Sequence, residues 1–520
     1  MRLVAAIVKI KGLPPRRSSI LKATKKMPFF LAPADDFFHN RANHPGLARR
    51  SLGLGSQSKN QTTMKTSAKY ILPGILILIA AVCIVPAQAQ LPYRKKTKAE
   101  RFIPTAPARP EGPAKLFYIE GITAPVLPNR NARPAPAGFD NLTNGFSVQG
   151  PPFSTIDEDN VIPDRSFNDG RFVFEEVETL EEGLGPTYNA QSCRECHQNI
   201  VTGGASQIAE HRTGHTDDGG QFFESLGGSL IHSRATYPDI VEHVMDTDET
   251  RTFRLSTNTL GGGFVECVSD STLLAIRDAQ PVNMQGLAPE VPVLEGDGSA
   301  GIGRFGWKCQ HRSLESFAAD AYLNEMGITS ALFPEENTSS GNYVGFGTQY
   351  DPVPDPEDFI DVAGFVLFMR STKVPPRGPI TDQVRTGEKK FNQIGCGVCH
   401  VASITTATPG TVINGGAFTV PNALGDKIIN PFSDYLLHDI GTGDGIPIQP
   451  LPEFADTANK MRTAPLWGLR TRNRMMHDGL SFTYFDAIQR HAGQATDVTA
   501  LFNGLSATDK ANIYAFLGSL

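Results

Sequence analysis

The sequence carries little charge and little cysteine. Charged residues make up 20% of the 520 residues and the formal net charge is −6, so the basic face that nucleic-acid binding needs is not expected. Only 7 cysteines occur, which makes any regular cysteine spacing informative. Glycine and proline, in contrast, are plentiful, with 50 and 38 residues, and they predict many turns and loops.

Most of these cysteines belong to two copies of one pentapeptide. The copies are Cys193-Arg194-Glu195-Cys196-His197 and Cys396-Gly397-Val398-Cys399-His400. In the pattern C-x-x-C-H, the two thiols form thioethers to one haem and the histidine binds its iron. One copy would arise by chance in about one of several hundred such chains, so two copies predict two covalently bound haem c groups. The alternative is a pair of zinc sites, which would not explain the adjacent histidines.

The N-terminal part has the features of an export signal. Met64 opens a segment with a basic start, an apolar core over 71–85 and the small-residue sequence Ala87-Gln88-Ala89. We therefore expect a signal peptide over 64–89, a periplasmic or secreted mature chain, and no stable membrane span after cleavage. The alternative is a single membrane anchor, for which the apolar core is short. Residues 1–63 are expected to be a start artefact or a disordered extension.

The remainder divides into an arm and two repeated domains. Residues 90–150 are rich in proline and predict an extended arm. Helical spacing of apolar residues over 355–372 and 506–520 indicates one closing helix for each haem domain. We therefore predict a mainly α fold with two cytochrome c-like haem domains, 151–375 and 376–520, with long loops and a large insert in the first.

The order of the motifs resembles that of the bacterial di-haem cytochrome c peroxidases. It resembles more closely the related di-haem oxidoreductases, some of which are labelled thiol oxidoreductases. Besides the two haem motifs, the stretches that carry the resemblance are Gly183-Leu184-Gly185-Pro186, Gly303-Arg304-Phe305-Gly306-Trp307-Lys308, Leu436-Leu437-His438-Asp439-Ile440-Gly441, Arg462-Thr463-Ala464-Pro465-Leu466-Trp467-Gly468-Leu469, His477-Asp478-Gly479 and His491-Ala492-Gly493. The resemblance implies a peroxidase-like enzyme in which one haem relays electrons and the other meets a small-molecule oxidant.

The resemblance also implies roles for individual residues. Trp307 matches the tryptophan between the haems, and Glu325 matches the acid at the reactive haem once two residues are skipped; Glu266 is a second candidate acid. The glutamine position of the peroxidases falls on Phe317, which predicts slow turnover of peroxide or another oxidant. The distal ligand of the second haem falls on His491. The alternatives are an ordinary buried tryptophan, a solvated helix acid and a surface histidine.

Other histidines match the family less completely. No single distal ligand is indicated for the first haem, although His211 and His215 lie where some family peroxidases hold a histidine. His438 and His477 are expected near the haem propionates, and Asp478 is expected to orient His477 through its ring N–H.

A calcium ion and a disulfide could each link parts of the fold. The peroxidases hold a calcium ion between their domains, and its carbonyl positions fall here on Arg472 and Arg474, so calcium is allowed but not supported. Cys267 and Cys309 remain once the four haem cysteines and Cys83, which lies in the predicted signal peptide, are set apart. An oxidising compartment favours a disulfide between them.

Two functions follow from these features. The first is an exported di-haem oxidoreductase that receives electrons from a small redox protein. The second is a non-catalytic electron-transfer cytochrome in which both irons have two protein ligands. A first haem that is high spin or binds cyanide readily would favour the enzyme.

Overall fold

The computed structural model describes residues 131–139, 164–355 and 360–520. The predicted signal peptide, residues 1–63 and most of the proline-rich arm lie outside the described residues. The described residues fall within one compact unit that extends from Pro107 to Leu520. None of the described helices combines the length and the apolar composition that crossing a bilayer takes.

Ten α-helices occur in the described part of the chain. They are α1 (Asp164–Glu175), α2 (Cys193–Cys196), α3 (Gly262–Glu266), α4 (Asp270–Ala279), α5 (Leu314–Met326), α6 (Ile360–Ser371), α7 (Asp382–Gln393), α8 (Tyr484–Gln489), α9 (Thr496–Asn503) and α10 (Ala507–Leu517). Short 3₁₀ turns, including one over Cys396–Val398 in the second motif, join several of them.

The strands of the described residues are short and form small sheets. They are β1 (Arg133–Pro134), β2 (Thr187–Tyr188), β3 (Ala209–Thr216), β4 (Phe222–Glu224), β5 (Arg234–Ala235), β6 (Thr250–Leu255), β7 (Glu290–Pro292), β8 (Ala300–Ile302), β9 (Thr338–Ser339), β10 (Asn342–Tyr343), β11 (Ile404–Thr405), β12 (Val412–Ile413), β13 (Phe418–Thr419), β14 (Lys427–Ile429), β15 (Leu437–Asp439) and β16 (Lys460–Arg462). Two sheets have three strands, in the orders β4-β3-β6 and β1-β14-β11, and the other strands pair as β2-β5, β7-β8, β9-β10, β12-β13 and β15-β16.

The prediction of a mainly α fold is wrong. Helices make up 32% of the described residues and strands 16%. The strands are spread over many small sheets. The largest of these sheets lies in the insert, where β6 pairs in antiparallel register with β3. β6 alternates half-buried and exposed residues over its first four positions, as a strand with one covered face does. Many of the other strands span only two or three residues, which leaves no periodic pattern to detect.

Two crossing pairs of helices support the haem motifs. α1 packs on α6, and α7 packs on α10. A Cβ atom at Gly170 would lie 2.8 Å from the carbonyl oxygen of Gly364, and one at Gly387 would lie 1.9 Å from that of Asn512. Only glycine allows backbones to approach this closely, so these residues fix both crossings. Because the first motif follows α1 and the second follows α7, each motif is attached to a fixed helix pair.

Candidate haem sites

The second motif opens onto a cavity that we call the second cavity. Cys396, Cys399 and His400 line it, together with His491 from the segment after α8. The ring centroids of His400 and His491 are 6.5 Å apart. Two imidazoles that bind one metal ion from opposite sides would lie about 6 Å apart, because each metal–nitrogen bond is about 2.0 Å long. The two side chains therefore fit a haem iron with a histidine on each face.

One hydrogen-bond pattern orients all three candidate iron ligands. Nδ1 lies 2.9 Å from a backbone carbonyl oxygen in His400 and 2.7 Å from one in His491. In His197 the corresponding distance is 3.3 Å. A carbonyl oxygen only accepts, so Nδ1 carries the proton and Nε2 is left free to bind a metal. Burial lowers the pKa of each ring, which favours the neutral form that binds iron.

The second cavity also contains donors that lack acceptors. Nε of Arg472 and Nε1 of Trp467 are buried, and neither has a hydrogen-bond partner among the described residues. Arg462 and Arg474 line the same cavity. Buried donors without partners are costly, and the two carboxylates of a haem would satisfy them. Arg472 and Arg474, which stand where the family's peroxidases bind calcium through carbonyl oxygens, thus suit the carboxylates of a haem. Two positive side chains give no support to a calcium ion at that place.

His438 and His477 both line the second cavity. Although burial opposes its charged form, a buried aspartate 2.8 Å from Nε2 raises the pKa of His438 well above its usual value. Asp478 does not take the predicted role of orienting His477. Its carboxylate accepts hydrogen bonds from the guanidinium of Arg490 at 2.5 and 3.0 Å. This ion pair fixes the residue directly before the candidate distal ligand.

The first motif opens onto a separate cavity, the first cavity. Cys193, Cys196 and His197 line it, and no other histidine of the described residues does. Met326 and Met369 also line it. The two cavities thus differ in the number of histidines that they offer to a metal.

Strand β3 turns an acid and an arginine, rather than its histidines, towards the first cavity. Glu210 and Arg212 line the cavity, and successive side chains of a strand point to opposite faces. The rings of His211 and His215 stack on phenylalanine rings, with centroid distances of 4.7 and 5.5 Å. The structure therefore brings neither histidine to the first motif.

Glu325 lies in the last turn of α5 and lines the first cavity. Ser313 caps the start of this helix, and Gly327 ends it with φ of 70°. Oε2 of Glu325 is buried without a hydrogen-bond partner among the described residues. Burial and the nearby Glu210 carboxylate raise the pKa of Glu325 well above its usual value, against the opposing effect of Arg212. Burial and Glu210 therefore both favour the protonated form of Glu325.

Glu266, the second candidate acid, lines neither cavity. Its fully buried carboxylate accepts hydrogen bonds from Arg370, at 2.7 and 3.0 Å, and from Leu314 N and Asn414 Nδ2. Burial alone would raise the pKa, but the charge and hydrogen bonds of Arg370 and the other donors lower it. The structure gives Glu266 a role in packing, and Glu325 is left as the candidate acid.

Cys267 and Cys309 are both free thiols in the structure. Each is fully buried, and Sγ of Cys309 donates to the carbonyl oxygen of Tyr435 at 3.3 Å. The predicted disulfide between them is wrong, because the structure leaves both thiols unbridged.

Trp307 lines both cavities. Its Nε1 donates to the carbonyl oxygen of Leu255 at 2.6 Å, and its ring makes an edge contact with His477 at a centroid distance of 6.2 Å. Phe317, at the family's glutamine position, also lines both. Two aromatic rings therefore stand at the border between the cavities.

A family model described as "Di-haem oxidoreductase, putative peroxidase" matches residues 231–520, more than half of the chain. The chain belongs to this family. As a di-haem oxidoreductase, it has haem as its cofactor and redox chemistry as its function. The matched range contains the second motif, Trp307, Glu325 and His491, whereas the first motif precedes it.

Two solved structures are similar to this di-haem oxidoreductase over most of their length. One is the hydrazine synthase of Kuenenia stuttgartiensis, at 14% identity, covering 74% of this chain and 96% of that chain with a TM-score of 0.34. The other is a MauG-like protein associated with microbial copper homeostasis, at 14% identity, 70% and 91% coverage and a TM-score of 0.32. Likeness this distant carries no conclusion about activity. No curated protein sequence matches the chain.

Proposed function

We propose that this chain is an exported di-haem c-type oxidoreductase that receives electrons at the second haem and reduces a small oxidant at the first, as a peroxidase does. The observation that carries the proposal is the difference between the cavities. The second is lined by two histidines, His400 and His491, whose ring centroids are 6.5 Å apart. In the first, His197 is the only lining histidine among the described residues, and a buried acid lies nearby. A small oxidant needs an iron with an open position.

Each motif would hold its haem by three residues. When bound, haem supplies the electron-transfer and oxidant-reducing chemistry of the site. The thiols of each C-x-x-C pair would attach it covalently, His197 and His400 would bind the iron through Nε2, and His491 would close the second site. Arg472 and Trp467 would donate to its carboxylates. This ligand set agrees with the geometry and with the unpartnered donors of the second cavity.

Glu325 is the proposed proton donor of the first cavity. Its raised pKa keeps a proton on a side chain that lines the cavity. A positioned acid that protonates a departing oxygen typically contributes about 10²–10⁴ in rate. Phe317 offers no hydrogen bond with which to orient a peroxide, so we expect slow turnover with peroxide or preference for another small oxidant.

Trp307 is the proposed route for electrons between the two sites, since its ring lines both cavities. A small redox protein is the proposed electron donor. Export is supported by the basic start, apolar core and small-residue site over 64–89 and by two C-x-x-C-H motifs.

The non-catalytic alternative is favoured by one observation. Met326 and Met369 line the first cavity, and a thioether can serve as a second axial ligand of haem iron. In that case both irons would be fully ligated, and the chain would only carry electrons.

Visible and EPR spectra of the haem-loaded protein decide between the two functions. The enzyme should show one low-spin and one high-spin haem, should bind cyanide at one site, and should react with added peroxide or another small oxidant. If the first haem stays low spin in both oxidation states, does not react with peroxide and does not bind cyanide, the protein is an electron carrier and the proposal of an enzyme is wrong.

A further inference from the structure

The segment between α5 and α6 holds a cluster of three carboxyl groups away from both haem cavities. Glu336, Asp351 and Asp355 each present an oxygen, and these oxygens lie within 4.8 Å of one another. None of the three residues lines either cavity. Asp351 is only 8% exposed. The cluster is therefore a separate feature of the fold.

One oxygen of each carboxyl group lacks a partner. Oε1 of Glu336, Oδ2 of Asp351 and Oδ1 of Asp355 are buried without a hydrogen bond to any described residue. The other oxygen of Asp355 accepts from the amide and the hydroxyl of Thr329, both at 2.6 Å. Leaving a buried carboxylate oxygen unpaired is costly. Glu336 and Asp355 also meet as a carboxyl pair, which only a proton or a cation between them can stabilise. The cluster therefore has a place for a positive partner.

Among the described residues, no basic side chain contributes to the pKa shifts of the three acids. The groups that shift these pKa values include other carboxyl groups. Burial and the neighbouring Asp355 raise the pKa of Glu336 to about 9 and that of Asp351 to about 6. Without a cation, Glu336 therefore holds a proton beside the other two acids, and a cation that displaced it would satisfy the free oxygens.

We propose that Glu336, Asp351 and Asp355 bind one calcium ion. Calcium prefers oxygen ligands at 2.3–2.6 Å, so two ligands of one ion lie no more than about 5 Å apart. The separations within the cluster meet this limit. Calcium also tolerates irregular geometry and completes its six to eight positions with carbonyl oxygens and water, as a loop site requires.

The ion would stabilise the segment that supports the first cavity. Thr329, which Asp355 holds, follows the end of α5 closely. Asn337 donates to Oδ1 of Asn324 at 3.2 Å, and Asn324 precedes Glu325. Calcium would thus fix a loop that is bonded to the last turn of α5. The proposal does not depend on the reaction at the haems.

Calcium titration of the haem-loaded protein tests the site. After treatment with EGTA, the parent should bind one calcium ion per chain in calorimetry, and its Tm should rise with calcium concentration. Asp351→Asn should weaken calcium binding about tenfold or more, because it removes one charge from the ligand set. Glu335→Gln removes the same charge from the exposed neighbour of Glu336 and should bind calcium as the parent does.

The outcome is readable whether or not a variant folds. Without calcium, Asp351→Asn should unfold at the parent's Tm or slightly above it, since it removes a carboxylate charge from beside two other acids and keeps the size of the side chain. The haem spectrum monitors folding. If Asp351→Asn does not fold, Glu336→Gln takes its place. The proposal is overturned if the EGTA-treated parent binds no calcium at millimolar concentration. It is also overturned if the folded variant binds calcium with the parent's affinity, since the ion would then lie elsewhere.

Discussion

The proton on Glu325 can be tested by a single substitution. Glu325→Gln keeps the size of the side chain and removes the acid. If this residue protonates the departing oxygen, the second-order rate constant with peroxide should fall by about 10²–10⁴-fold. This loss corresponds to about 3–5 kcal/mol in the activation barrier. Stopped-flow spectroscopy of the haem bands measures the constant directly.

The same change should leave the fold intact. Burial and Glu210 raise the pKa of Glu325 and favour its neutral acid form, which a neutral amide of the same size replaces. We therefore expect the free energy of unfolding to change by less than about 1 kcal/mol. Both haem spectra and the rate of reduction by a chemical donor should be unchanged. Glu315→Gln is the matched control, because Glu315 lies on the same helix but lines neither cavity.

The pH dependence gives an independent check with a defined sign. The raised pKa of Glu325 means that the acid form is present below that pKa and is lost as the pH rises through it. The parent's rate constant with peroxide should therefore fall with rising pH, and that of Glu325→Gln should lack this step. A variant that reacts as fast as the parent, with the same pH profile, would show that Glu325 does not carry the proton.

Three further substitutions test the remaining assignments. His491→Ala should convert one low-spin haem to high spin; an unchanged EPR spectrum would count against this ligand. Trp307→Phe should slow electron transfer between the haems in stopped-flow reduction, with both haem spectra retained. Glu266→Gln should lower the free energy of unfolding at neutral pH by about 3–5 kcal/mol, because Arg370 loses its buried partner. The fold lowers the pKa of Glu266, so the stability that its carboxylate contributes is present above the ordinary glutamate pKa of about 4.3. That contribution is lost as the pH falls through the lowered pKa of the folded protein. Urea unfolding of the parent and the variant at neutral and acid pH measures the difference.

The haem motifs could be predicted because their chemistry is local. Cysteine, cysteine and histidine lie within five residues, so no knowledge of the fold is needed to see what they bind. His491 was predicted from its distance to His477 in the family, and the structure places it 6.5 Å from His400. Its part in binding iron stays a prediction that the EPR experiment tests.

Contacts between distant parts of the chain could not be predicted in this way. Glu266 and Arg370 are 104 residues apart, and the thiol of Cys309 reaches a carbonyl 126 residues away. Glu210 and Arg212 are significant only once β3 is known to be a strand with one face on the first cavity. Its sequence, rich in polar residues on both faces, gives no periodic signal that would have identified that face.

Two substitutions of Trp307 separate the role of its aromatic ring from that of its hydrogen bond. Its indole both lines the two cavities and donates to the carbonyl oxygen of Leu255 at the end of β6. Trp307→Phe loses the donor but keeps an aromatic ring, whereas Trp307→Leu loses both. If the ring carries electrons, transfer should be slower in the leucine variant than in the phenylalanine variant. If the hydrogen bond matters only because it positions β6, the two variants should be equally slow, since both leave the same buried carbonyl without its donor.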